Sequence, residues 1–153
     1  MSEKFGFSGG TGGSPYAAPA PSTHDQGPWK ISMIQGRSSS RINEIELIWE
    51  NPKHATRESG GFGGDGGGPF EFKIAPNDYL TEISGTVENA GDSVRIFSVQ
   101  FVTRDGGRSP LFGTKTAFPF FYVCPRGFHI TGIFGRSGTE LDGLGVFIDP
   151  IPA

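Results

Sequence analysis

One carboxylate and the glycines near it are the residues of this chain best suited to chemistry. Asp142 ends the segment Gly138-Thr139-Glu140-Leu141-Asp142, and strand-like runs lie on both sides of that segment. Glycine at position 138 favours a sharp turn that other residues resist, so successive backbone N–H groups can converge beside the carboxylate. Donors and an acceptor placed together match two neighbouring hydroxyl groups on a ligand. The segment therefore predicts a binding loop rather than a catalytic one.

A purely structural interpretation of the same residues is also open. Asp142 and Gly143 form an Asp-Gly pair, which is common at the turn of a β-hairpin and requires no ligand. The residues alone do not decide between a binding loop and a hairpin turn.

Other short patterns typical of enzymes lack the elements that would make them work. Residues 6–10 fit G-x-S-x-G, but no buried strand precedes them, as a nucleophilic serine would need. Residues 61–66 fit G-x-G-x-x-G, but a strand-like run follows where a phosphate-binding helix would begin. The histidines are scattered and Cys124 is the single cysteine, so no metal-ligand spacing exists. We expect a protein that is not an enzyme and that uses no metal or cofactor.

The elements that must position Asp142 are predicted to be strands. Helical periodicity is almost absent, whereas runs of alternating or β-branched residues recur between Gly, Pro, Asn and Asp groups. These runs are 29–33, 42–49, 70–74, 79–87, 94–103, 118–123, 128–134 and 144–148. Residues 14–28 carry no strand signal and are predicted to be a long Pro/Ala-rich loop. The fold class is therefore all-β.

The glycine-rich segments suggest an internal repeat. Residues 9–13 and 60–64 share the pattern GGxGG and begin 51 residues apart. Residues 83–85 and 133–135 both read Ile-x-Gly and lie 50 residues apart. Three units of that length fill a chain of 153 residues, so we expect a roughly threefold organisation.

Length and charge limit the classes of partner. A chain of 153 residues fits one domain, 1–153. The formal charge of −3 supplies no basic face, so we expect neither nucleic acid nor an anionic membrane surface as partner. No apolar run is long enough for membrane insertion, and the first residues lack the pattern of a signal peptide. We expect a cytoplasmic protein, with export by a non-classical route left open.

The motifs together resemble the jacalin-related lectin family. The resemblance implies a β-prism I fold, in which three four-stranded Greek-key sheets surround a pseudo-threefold axis, as a single domain over most of the chain. Residues 130–147 are its most specific part. Its other carriers are 9–13, 41–47, 60–64, 79–85 and 96–103.

In that family the sugar lies between the N-terminal glycine loop and the GxxxD loop. By resemblance, Asp142 accepts from two adjacent sugar hydroxyls, and such charge-assisted bonds are stronger than neutral ones. The backbone N–H groups of Gly13, Thr139 and Glu140 donate to other hydroxyls, and Leu141 supplies loop geometry and packing. The implied carbohydrate-binding residues are Gly13, Gly138, Thr139, Glu140, Leu141 and Asp142.

The resemblance also implies ligands and partners. We expect reversible, metal-independent binding of neutral glycans or glycoproteins, with mannose or glucose favoured over galactose. Galactose-specific relatives are cleaved to expose a glycine amino group and carry aromatic residues in the binding loop, where this chain has Thr139 and Glu140. A homo-oligomer, with a dimer favoured, would compensate for a shallow site.

Two questions stay open on the sequence. The first is whether the chain is instead a β-prism protein-interaction or scaffold module with a vestigial sugar site. The second is whether residues 60–68 build another sugar site. Residues 35–40, the expected neighbour of that loop, have no carboxylate, although Asp65 could supply an acceptor. We therefore expect a second site to be absent.

Overall fold

The computed structural model describes residues 2–22 and 27–152, and within them the chain forms thirteen β-strands and no helix. No element in these ranges is a helix apolar and long enough to cross a membrane. The strands are β1 (Glu3–Gly9), β2 (Ser14–Ala18), β3 (Lys30–Ser38), β4 (Ile42–Glu50), β5 (Thr56–Glu58), β6 (Phe62–Gly63), β7 (Gly68–Lys73), β8 (Leu80–Ala90), β9 (Ser93–Thr103), β10 (Phe112–Gly113), β11 (Phe118–Val123), β12 (Phe128–Ser137) and β13 (Leu141–Pro150).

The strands pair into three antiparallel sheets. Sheet A has the order β1-β13-β12-β2, and sheet C has the order β10-β9-β8-β11. Sheet B has the order β5-β4-β3-β7, and β6 also pairs with β4. Because β5 and β6 pair with successive parts of β4, they fill one strand position in two pieces. The prediction of an all-β fold with three four-stranded sheets is confirmed.

A glycine at the same place in each sheet shows the internal repeat. A Cβ at Gly9, Gly63 or Gly113 would overlap a carbonyl oxygen of the neighbouring strand, at 2.0–2.2 Å. All three have positive φ, where glycine is favoured. They lie 54 and 50 residues apart. The predicted match of residues 9–13 with 60–64 is therefore three residues out of register, because Gly9 is equivalent to Gly63.

The second repeat signal is confirmed and gains a member. Gly85 and Gly135 occupy equivalent positions, and Gly36 is the third. At each of them a Cβ would lie 2.0 Å from a carbonyl oxygen of the paired strand. The Ile-x-Gly pattern thus lies on the first strand of one hairpin in each sheet, namely β3–β4, β8–β9 and β12–β13.

The inner faces of the three sheets enclose one core. Along β4, residues alternate between buried and partly exposed, as expected for a strand with one face inside. Trp49 links two sheets, because its Nε1 donates to the Thr131 carbonyl oxygen at 2.8 Å. Each fully buried isoleucine or leucine contributes about 1.5–3 kcal/mol. Those less than 1% exposed are Ile34, Ile42, Ile45, Leu47, Ile83, Ile96, Ile130, Ile133, Leu141 and Leu144.

The predicted loop over 14–28 is wrong in its first part. Residues Ser14–Ala18 form β2, which pairs with β12 from Ser137 to Ile133. The strand was missed because Pro15 and two alanines are weak strand formers, and an edge strand tolerates them. Residues 23–26 of that loop lie outside the described residues.

Candidate functional site

The predicted binding loop is the hairpin between β12 and β13. Ser137 pairs with Leu141, and the Gly138 N–H donates to the Glu140 carbonyl oxygen at 3.0 Å. The connection is therefore residues 138–140. Asp142 lies beyond it on β13, so the Asp-Gly pair is not the turn of this hairpin.

Glycine at 138 serves a different purpose from the one predicted. Its φ lies outside the left-handed region, so the turn does not require it. A Cβ there would lie 3.6 Å from the Gly13 Cα and 3.9 Å from Asp142 Oδ1. The missing side chain keeps open the space between the two loops.

The N-terminal glycine loop lies directly against the Asp142 carboxylate. A Cβ at Gly12 would lie 2.7 Å from Oδ2, and a Cβ at Gly13 would lie 2.9 Å from Oδ1. Arg136 fastens this loop, because its Nε donates to the Gly12 carbonyl oxygen at 3.0 Å and its Nη2 to that of Gly13 at 2.9 Å. Gly13 has a φ of 67°, a conformation that favours glycine. The structure thus brings Gly13 and Asp142 together across 129 positions of sequence.

Asp142 is almost fully buried and ion-paired. It is 2% exposed, and its Oδ2 accepts from Arg95 Nη1 at 2.8 Å. Burial raises the pKa of Asp142 above its usual range, and the negative charge of Glu140 raises that pKa further. Arg95, Arg136 and the Gly138 N–H act in the opposite direction. The carboxylate is thus a fixed acceptor rather than a freely solvated one.

Glu140 faces two arginines. Its Oε2 accepts from Arg41 Nη2 at 2.8 Å, and its Oε1 lies 2.8 Å from Arg41 Nε and 3.3 Å from Arg95 Nε. The two guanidinium groups offset its negative charge, so Glu140 does not act as an isolated negative charge beside Asp142.

The other two predicted residues, Leu141 and Thr139, pack against their surroundings. Leu141 is fully buried in the core, which agrees with the packing role expected for it. Thr139 is exposed, and its carbonyl oxygen would lie 2.4 Å from a Cβ at Gly64. The central glycine loop, 60–68, therefore packs against the 138–140 hairpin.

All three sheets contribute to this site. Arg41 precedes β4 of sheet B, Arg95 lies on β9 of sheet C, and Asp142 lies on β13 of sheet A. Sequence reasoning missed Gly12, Arg41, Arg95 and Arg136. Gly12 lies in the glycine-rich segment 9–13, and Arg136 lies in the tripeptide Gly-Arg-Ser, which occurs at 36–38, 107–109 and 135–137. Arg41 and Arg95 had no local signal.

At 36–38 the tripeptide belongs to a second arrangement of this kind on sheet B, in which an arginine holds a glycine loop, and we call it the second cradle. The copy at 107–109 lies between β9 and β10. Arg37 Nε donates to the Gly66 carbonyl oxygen at 3.1 Å and its Nη2 to that of Gly67 at 2.6 Å, as Arg136 does to Gly12 and Gly13. Asn43 takes the place of Asp142, since a Cβ at Gly67 would lie 2.8 Å from its Oδ1 and a Cβ at Gly66 would lie 2.9 Å from its Nδ2.

The second cradle differs from the first in its acceptors. An amide offers one oxygen where a carboxylate offers two, and the Asn43 oxygen already accepts from Ser39 Oγ at 2.9 Å. A pair of neighbouring hydroxyls therefore finds fewer acceptors here than at Asp142. No group of three or more His, Cys, Asp or Glu residues suited to a metal occurs in 2–22 or 27–152.

Comparison with known families agrees with this geometry. Residues 5–147 match the jacalin-like lectin domain. The chain belongs to this family. Horcolin from Hordeum vulgare is 32% identical over 150 residues, which cover 96% of this chain and 97% of horcolin.

Solved structures of lectins share the fold. Malaysian banana lectin superposes with a TM-score of 0.83 at 26% identity, covering 99% of this chain and all of the other. Calsepa lectin, solved in complex with a biantennary N-glycan, has a TM-score of 0.81 at 25% identity and covers 99% of this chain and 98% of its own. This jacalin-like domain therefore has the β-prism architecture that the resemblance implied.

Proposed function

We propose that this chain is a lectin that binds neutral glycans reversibly, without metal or catalysis, in the cleft between the Gly12–Gly13 loop and the 138–142 hairpin. The observation that carries the proposal is the Asp142 carboxylate, which has a glycine beside each of its oxygens. Side chains at 12, 13 or 138 would occupy the space that a sugar ring needs. The binding of an N-glycan by the similar Calsepa lectin supports the same class of ligand.

We propose mannose or glucose rather than galactose as the bound sugar. The binding hairpin presents Thr139 and Glu140 and no aromatic side chain, unlike the galactose-specific members of the family. Gly13 follows Gly12 in an unbroken chain, so it offers a backbone N–H and not an amino group. The glycan partners would then be mannose- or glucose-type glycans or glycoproteins.

Replacement of Asp142 by asparagine tests the site. The Asp142→Asn variant keeps the shape of the side chain but loses one acceptor oxygen and the negative charge. A site of this kind binds a monosaccharide with a Kd of about 1 mM, and loss of a charge-assisted bond removes about 1.5–3 kcal/mol. We expect methyl α-mannoside binding to fall below detection in calorimetry while the thermal unfolding transition is retained.

The matched control is Asp65→Asn, which removes an exposed carboxylate from the central glycine loop. It should bind like the unmodified chain. Unaltered binding in Asp142→Asn would reject this site. A glycan array without any bound glycan, for a folded protein, would favour the protein-interaction module over the lectin.

We further propose that the chain forms a homodimer through the edges of sheets A and C. There β1 and β11 lie side by side, and the Phe5 ring packs edge-on against Tyr122, with 6.1 Å between ring centroids. We call the exposed apolar side chains of this region the edge face. Its members are Phe5, Phe7, Phe118, Phe121 and Val123.

The equivalent edge of sheet B shows that these apolar residues are not demanded by the fold. Phe121 and Val123 on β11 are 66% and 54% exposed, whereas the equivalent residues of β7 are Glu71 and Lys73. At about 200 Å² per phenylalanine, the edge face exposes roughly 450 Å² of apolar surface. That is more than half of the ~800 Å² that each partner buries in a typical interface. A second copy would cover it.

The double variant Phe121→Glu/Val123→Lys copies the β7 pattern onto β11 and tests the dimer. We expect sedimentation equilibrium to give a dimer for the unmodified chain at micromolar concentration and a monomer for the double variant. Leu111→Glu, at an exposed leucine outside the edge face, should remain dimeric. A strictly monomeric unmodified chain would disprove the proposed interface.

A further inference from the structure

Arg95 touches the acidic residues of the site from a third sheet. It lies on β9 of sheet C, whereas the predicted binding loop connects two strands of sheet A. Its Nη1 donates to Asp142 Oδ2 at 2.8 Å and also to Ser93 Oγ, and its Nε lies 3.3 Å from Glu140 Oε1. One guanidinium group thereby contacts both carboxylates of the hairpin.

These contacts decide which way the Asp142 carboxylate presents its free acceptor positions. A carboxylate has about four lone-pair sites on its two oxygens. Arg95 occupies one on Oδ2, and the Gly138 N–H faces the group from the hairpin. Gly12 and Gly13 lie beside Oδ2 and Oδ1, respectively. The sites left over therefore face the glycine loop, where the proposed ligand lies.

The charges around Asp142 come from three elements. Arg95 reaches it from β9, Arg136 from β12, and Glu140 from the hairpin, whereas residues 10–13 of the N-terminal loop carry no charge. Arg136 donates its hydrogen bonds to the carbonyl oxygens of that loop. Arg95 is therefore the arginine that both contacts and orients the acceptor.

We propose that Arg95 is a positioning residue of the sugar site, which fixes the Asp142 carboxylate so that its free acceptor positions meet two neighbouring hydroxyls. The proposal rests on the proposed lectin function. Both the positive charge and the planar shape of the guanidinium group matter for this role. The group contacts Asp142, Glu140 and Ser93 at once, and a lysine ammonium cannot match that arrangement.

The variants Arg95→Gln and Arg95→Lys test it in the full-length chain. We expect Arg95→Gln to weaken methyl α-mannoside binding about tenfold, or ~1.4 kcal/mol. Binding should be lost on acidification when Asp142 takes up a proton. Without the neighbouring positive charge that loss should begin at higher pH, a change that a merely structural role would not produce. Arg95→Lys should restore the pH profile and only part of the affinity.

The control is Arg57→Gln, which removes an arginine that lies over Trp29, 5.4 Å from its ring centroid, on sheet B. It should leave the affinity and the pH profile unchanged. An unchanged affinity and pH profile in folded Arg95→Gln would overturn the proposal. Tighter binding in that variant would also overturn it, because the arginine would then compete with the sugar.

Failure of the lectin function itself gives a different result. If the unmodified chain binds no glycan on an array, the proposed function is wrong. NMR titration of the Asp142 carboxyl carbon in the ligand-free protein remains informative in that case. An upward shift of the Asp142 titration in Arg95→Gln would support the positioning contact, and an unchanged titration would refute it.

Discussion

At position 142, burial and ion pairing act on the same carboxylate in opposite directions. Desolvation raises the pKa of Asp142, and Arg95 opposes that rise without cancelling it. The pKa in the folded protein therefore lies above the ordinary value. As the pH rises through that folded-state pKa, ionisation of Asp142 lowers the free energy of unfolding. The carboxylate acceptor of the proposed site is thus ionised at a cost in stability.

The Gly12→Ala variant should separate binding from folding at this scale. The φ of Gly12 lies outside the left-handed region, so alanine fits the backbone. Its Cβ would, however, lie 2.7 Å from Asp142 Oδ2 and 3.5 Å from Arg95 Nη1. We expect calorimetry to show about tenfold weaker binding of methyl α-mannoside, and chemical denaturation to show a loss of less than about 1 kcal/mol.

Gly68→Ala is the matched control for that variant. A Cβ at Gly68 would have nothing within 4 Å, and its φ is also outside the left-handed region. Equal binding in Gly12→Ala and Gly68→Ala would show that the ligand does not approach Asp142 from the glycine loop.

The sequence could predict that Asp142 and Gly13 come together, but not that arginines surround them. The first two lie in a glycine pattern that is local along the chain. Arg95 reaches Asp142 across 47 positions and from another sheet, and no spacing rule connects residues on different sheets. Its role depends on the packing of the sheets, which only the three-dimensional arrangement shows.

At the scale of elements, two hairpins have the same backbone arrangement and different chemistry. The hairpin of sheet B pairs Ser38 with Ile42, as that of sheet A pairs Ser137 with Leu141. Ser39 and Asn43 stand where sheet A has Gly138 and Asp142. The repeated scaffold explains why residues 60–68 look like a sugar loop, and the amide explains why we still expect one site per chain.

The double variant Ser39→Gly/Asn43→Asp should convert the second cradle. It removes the hydroxyl that donates to Asn43 and supplies a carboxylate beside Gly66 and Gly67. We expect the stoichiometry of methyl α-mannoside binding to rise from one to two per chain in calorimetry. The single variant Ser39→Gly is the control and should stay at one. Two sites in the unmodified chain would show that the amide suffices.

Most strands could be predicted from the sequence, and those that could not are short or at sheet edges. Each of the eight predicted runs lies wholly in a strand or extends one residue beyond it, because each has an inner apolar face. The sequence of β1, Glu-Lys-Phe-Gly-Phe-Ser-Gly, is short of apolar residues and largely exposed, so it has no inner apolar face. β5, β6 and β10 have two or three residues each, too few to show a period. Their pairing with a longer neighbour defines them.

At the scale of the whole molecule, a buried histidine should set the stability at acid pH. His129 is 2% exposed, and its Nδ1 has no hydrogen-bond partner among the described residues. Burial lowers the pKa of His129 from 6.5 to about 4, Asp149 opposes that shift, and Lys30 adds to it. Since the unfolded chain takes up the proton first, the free energy of unfolding falls as the pH decreases from about 6.5 towards 4.

The His129→Phe variant should remove that dependence while keeping a ring against Tyr79. We expect urea unfolding to show a smaller loss of stability between pH 7 and pH 4.5 in the variant, by about 1–3 kcal/mol. His54→Asn is the control, because His54 is exposed and paired with Glu50. A variant that loses as much stability as the unmodified chain would show that His129 does not control this change.

Sheet A is built from both ends of the described chain, since β1 pairs with β13. The proposed site brings together Gly13, which precedes β2, and Asp142 on β13 of that sheet. During synthesis more than a hundred residues are therefore added after the glycine loop before Asp142 is made. Such long-range closure comes late in folding, so the proposed sugar site of a nascent chain cannot form until β13 has left the ribosome and joined the sheet.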